Sequence, residues 1–131
     1  MINKKSQSAI EFLFLIGIIL FFFTVFFLII QKNMSDRIRE RKTVVVRETA
    51  LDVQNEISLA HKSIDGYSRT FKVPEKLNGM EYEINITENM VYVRIKDTRE
   101  AIALPVFNTT GNLVKGNNEI KKENGKILLN Q

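Results

Sequence analysis

Three kinds of patterning follow one another in this chain. From Phe12 to Ile30 nineteen residues run without a charge, and seven of the nine phenylalanines lie between Phe12 and Phe27. A helix of about 20 apolar residues at 1.5 Å each matches a bilayer core about 30 Å thick, so this run predicts a membrane-inserted helix. A buried core helix in so small a protein is seldom apolar on every side. Next, Val46, Ala50, Val53, Ile57, Ala60 and Ile64 recur at steps of three and four, the single stripe of an amphipathic helix. No Pro or Gly interrupts Gln31–Asp65, and Asp65-Gly66 supplies a stop, since Gly accepts the left-handed conformation that ends many helices. Glu11–Ile64 therefore reads as one continuous helix of roughly 80 Å, with only Gly17 as a tolerable weak point.

Beyond Gly66 the period shortens to two. Tyr67–Val73 predicts a strand ended by Pro74; Tyr82, Ile84 and Ile86 alternate with polar residues, as do Val91, Val93 and Ile95, with Glu88-Asn89 as the turn between them. Ala101–Phe107 predicts a further strand, and Pro105 argues for an edge position. The segments NTTGN and ENGK read as turns, the second introducing a strand over Lys126–Leu129. A sheet of four to six strands needs an apolar cover, and the Val46–Ile64 stripe is the obvious candidate. The expected fold class is α+β: a long N-terminal helix, transmembrane in its first half and amphipathic in its second, packed against a small antiparallel β-sheet head. The expected organisation is a basic leader over 1–6, the apolar helix over 7–30, its amphipathic continuation over 31–65 and a β-rich head over 66–131.

Composition refines this only in places. With no cysteine, disulfides and cysteine-ligated metals are excluded. A net charge of +4 does not by itself imply a nucleic-acid partner. The lone His61 has no second His or Cys to complete a transition-metal site and suits a surface or capping role. Glu81 and Glu83 alternate onto one strand face, the pattern of a solvated face. No nucleophile–base pair and no phosphate-cradling Gly loop stands out, so neither an enzyme nor a cofactor is expected.

The candidate chemistry sits at the mouth of the apolar run. Lys4 and Lys5 lie upstream, and Gln7 stands four residues before Glu11, a carboxylate bordering hydrocarbon. A carboxylate at the centre of a membrane helix costs about 2.5–3.5 kcal/mol, less near the interface. The plain reading is that Glu11 snorkels to the headgroups. The stretch KSQSAIEFLFLIG also resembles the class III signal peptide of archaeal type IV pilin-like proteins: a short basic leader, a cut followed by Gln, and Glu at the fifth position thereafter. Ser6 stands where that family more often has Gly, and Ser8-Ala9 departs from its commonest spelling.

The resemblance implies that a prepilin peptidase cuts between Ser6 and Gln7 and leaves the apolar helix attached. The new α-amino group of Gln7, with a reference pKa near 8, is then largely protonated at neutral pH. In a dry helix bundle it needs a partner, and Glu11 of the same or a neighbouring chain supplies one. The run FFFTVFF suits lipid first and helix–helix packing afterwards. The implied protein is a surface-filament subunit with the pilus assembly machinery, membrane lipid and further copies of itself as partners. Its N-terminus would be cytoplasmic and its head extracellular, in a role that includes adhesion; the Asn- and Gly-rich stretch 108–118 would form exposed loops.

Two signals are weaker. Lys32, Arg37, Arg39, Arg41, Lys42 and Arg47 follow the apolar run, but Asp36, Glu40 and Glu48 interrupt them and no aromatic is interleaved. That favours a solvated helix face over contacts to lipid headgroups or nucleic acid, and a nucleic-acid partner is not expected. More Lys and Arg follow the run than precede it, which by the positive-inside rule favours a cytoplasmic C-terminus; the leader motif and the head layout argue the reverse. Asn33, Asn85 and Asn108 each begin an N-glycosylation sequon, with Asn108, in an expected turn, the best placed.

Overall fold

The computed structural model describes the backbone of residues 4–131 and the side chains of 7–131. The chain forms two compact units, one up to Glu40 and one over Arg41–Gln131. Helix α1, Lys4–Lys62, contributes to both.

In the first unit α1 is the only element among the described residues. Ile10 to Ile30 holds large apolar side chains on every face, all substantially exposed. Only an environment that offers the backbone no hydrogen bonds, and the side chains no water, suits such a surface, and a helix meets it by pairing its own N–H and C=O groups. Thr24 joins this economy by donating its hydroxyl to the Leu20 carbonyl at 2.8 Å.

In the second unit the remainder of α1 buries one stripe. Val46, Ala50, Val53, Ile57 and Ala60 are at most 2% exposed. Ile64, the expected last member, is instead 84% exposed, because the helix ends at Lys62. The stop is made from a distance: the Lys122 ammonium donates to the His61 and Ser63 carbonyls at 2.6 and 2.7 Å, satisfying acceptors that a helix end leaves unpaired. Gly66, at φ +93°, then turns the chain into the first strand.

Seven strands follow: β1 Ser68–Val73, β2 Tyr82–Thr87, β3 Met90–Ile95, β4 Ala101–Pro105, β5 Thr109–Gly111, β6 Gly116–Glu123 and β7 Lys126–Leu129. They form two sheets rather than one, in the orders β1-β6-β7-β5 and β2-β3-β4. Every pairing is antiparallel except β5 with β7. Glu88 and Asn89, at φ 52° and 60°, make the two-residue turn of the β2–β3 hairpin, and Asn124-Gly125 makes that of β6–β7. β4 ends at Pro105 and lies on a sheet edge, where a missing N–H costs no ladder bond.

Two expectations fail here. NTTGN is not a turn, since Thr109–Gly111 is a strand beside β7. A Cβ on Gly111 would collide with the Leu129 carbonyl oxygen, so this parallel pairing requires the glycine. The loop expected over 108–118 also contains the start of β6, and Asn118 is only 1% exposed. Its amide is fully used: Oδ1 accepts from Val114 N–H and Asn130 Nδ2, and Nδ2 donates to the carbonyls of Val114 and Gly116, all within 2.7–3.1 Å. Around it, Tyr82, Val91, Val93, Ile95, Ile120, Ile127 and Leu129 complete the core with the α1 stripe.

Candidate functional site

The helix period places Gln7 and Glu11 one turn apart. The Gln7 side-chain amide donates to the Glu11 carboxylate at 3.4 Å, a long and exposed contact. Glu11 is therefore only partly engaged, with carboxylate capacity for a stronger donor. Beside it Ile10, Phe14, Leu15, Ile18 and Ile19 form a shallow, almost wholly apolar groove along α1. A carboxylate at the rim of such a surface is unremarkable in water but needs a cation once the surface is covered. The leader 1–6, including the expected processing residue Ser6, lies outside the residues whose side chains are described.

One feature of this helix escaped the reading of its composition. Gly17, Thr24 and Gln31 are the non-apolar positions that follow Glu11 down to residue 31, and they are spaced by seven. An α-helix drifts about 20° per heptad, so they share nearly one face. A Cβ on Gly17 would meet nothing within 4 Å. Small and weakly polar residues on one face let helix backbones approach closely in lipid. Counting apolar residues conceals this signal; following their spacing reveals it.

Several of the head's polar groups bind one another or its backbone. The Lys76 ammonium lies 3.2 Å from Glu81, and its hydrogen bond and charge hold that carboxyl below the usual range. Lys115 reaches the other oxygen of Glu81 at 3.8 Å and lies 4.5 Å over the Tyr82 ring. The Tyr82 hydroxyl donates to the Pro74 carbonyl, and burial, then the charge of Glu75, pushes its pKa up to about 12. Glu83 is exposed on β2. His61 is exposed and stacks on Phe107 with ring centroids 3.7 Å apart. Asn33, Asn85 and Asn108 are all exposed, on α1, within β2 and just before β5 respectively. Among the described residues no three His, Cys, Asp or Glu side chains converge as a metal site.

No family model matches this chain, and no curated protein or solved structure is significantly similar to it. What stands on the fold and geometry alone is an α+β protein whose N-terminal helix is long and apolar enough to cross a membrane.

Proposed function

We propose that the protein is a pilin-like structural subunit: anchored in the membrane by α1, cut between Ser6 and Gln7, and assembled into a surface filament by bundling of its apolar helices. The observation that carries this reading is the pairing of a bare apolar helix surface with one partly engaged carboxylate, Glu11, a single turn from the expected new N-terminus at Gln7. Processing creates an ammonium group where Glu11 can meet it, so neither charge is left unpaired in a dry bundle. The head then faces the exterior, and its role is structural or adhesive rather than catalytic.

Mass spectrometry of the mature chain is expected to show a start at Gln7, and electron microscopy to show filaments carrying it. Glu11→Ala is expected to be processed normally but to lower filament yield about tenfold or more, given several kcal/mol for an uncompensated charge in a dry interior. Normal filaments from Glu11→Ala would end the pairing role. A second reading is a non-polymerising single-pass membrane anchor with an extracellular β-rich binding head, which the bare apolar surface of α1 also supports. A mature chain that keeps Met1–Ser6 would decide for that anchor.

A further inference from the structure

The molecule's positive charge is not evenly distributed. Between Gln31 and Arg47 six basic residues face two acidic ones, whereas residues 48–131 carry 11 basic and 12 acidic side chains. The net charge therefore belongs to α1, immediately after the apolar run. Asp36 stands four residues from Lys32, and Glu40 three from Arg37, the spacings at which helical ion pairs form. Yet Lys32 and Arg37 are exposed and have no ion-pair partner among the described residues.

Distance limits which anion. At 1.5 Å per residue Lys32 and Arg37 lie about 3 and 10 Å beyond Ile30 along the helix. The polar headgroup layer is about 5–7 Å thick on each side of the hydrocarbon. One Debye length adds about 8–10 Å. Both cations fall within that combined depth of about 13–17 Å. We infer that Lys32 and Arg37 form a collar that binds the anionic phospholipid headgroups of the leaflet from which α1 emerges. The collar rests on the reading of α1 as a membrane span, but not on leader processing or on polymerisation. Nucleic acid fits less well, because no Phe, Tyr or Trp lies between Phe27 and Tyr67 to stack a base.

The test reconstitutes the full chain in phosphatidylcholine vesicles and compares, by electron spin resonance, how spin-labelled phosphatidylglycerol and spin-labelled phosphatidylcholine are immobilised at the protein. The expected preference for the anionic lipid is roughly five- to thirtyfold, the scale of one or two basic contacts at an anionic surface. It should fall to near unity in Lys32→Gln/Arg37→Gln and in high salt, and survive in Arg37→Lys. Equal immobilisation of both lipids, or an unchanged preference in the double variant, overturns the collar while leaving the span intact. Loss of the preference to millimolar inorganic phosphate at constant ionic strength, or to duplex DNA, assigns the cations to another ligand and also overturns it. Immobilisation of neither lipid means that the helix is not in the bilayer, and the span reading falls with the collar.

Discussion

The two stretches of α1 on either side of Glu40 use one backbone conformation for opposite ends. Over Ile10–Ile30 apolar side chains cover every face and all are left bare; over Val46–Ala60 they occupy one stripe and are almost wholly buried. The difference lies in where each finds its apolar partner. The later stretch is matched within its own chain by two sheets, so its energetics are those of a protein core. The earlier one is left bare among the described residues, and its energetics belong to whatever covers it.

Paired substitutions break or sharpen this contrast. All three tyrosines lie in the head and there is no tryptophan, so tyrosine signals report the head alone. Ile57→Ala is expected to destabilise the head by about 2–5 kcal/mol in chemical denaturation, since it removes a fully buried side chain and leaves a cavity. The same exchange at Ile18 should leave that transition unmoved; equal losses at the two sites would show that the stretches are not energetically separate. Phe22→Arg reverses the test: it should oppose membrane insertion by about 2.5–3.5 kcal/mol, read by membrane fractionation, while the head unfolds as before.

Asn118→Ala should cost about 1–3 kcal/mol, because it strands the Val114 amide and carbonyl beside a buried site. The smallest effect belongs to Tyr82. An unfolded tyrosine ionises near pH 10, whereas in the head it holds its proton to about 12. In that window the unfolded chain releases the proton first, so head stability should be flat below about pH 10 and decline as pH rises towards 12. Tyr82→Phe should remove most of that decline and cost about 0.5–1.5 kcal/mol at neutral pH for the lost hydrogen bond to Pro74. A phenolate absorbance titration centred at 10 in the folded protein would refute this.

Elements with strong periodicity were legible from residues alone. The apolar run and the 46–60 stripe gave α1, and the alternation of Tyr82–Ile86 and Val91–Ile95 gave the β2–β3 hairpin with its turn. β6 was not legible, because GNNEIKKE carries one aliphatic residue, Ile120, and buries an asparagine as if it were apolar. β5 was hidden for a related reason: Thr-Thr-Gly is turn chemistry until a neighbouring strand supplies a ladder. Of the candidate site, Gln7 and Glu11 were visible by their spacing and their position beside hydrocarbon, while the lack of ion-pair partners for Lys32 and Arg37 among the described residues needed side-chain distances.

Local order along the chain thus settles what one segment can decide by itself: a helix apolar on all sides, an amphipathic continuation, and strands that alternate. Hydrophobic period is a property of neighbours in sequence, and it needs no partner to be read. The two-sheet arrangement, the parallel β5–β7 pair, the buried Asn118 and the helix stop at Lys62 depend on groups that meet only after folding. The Lys122 ammonium lies some sixty residues from the carbonyls it caps. Polar groups become acceptable inside, and a helix ends early, only when such distant partners satisfy the hydrogen bonds that water would otherwise make.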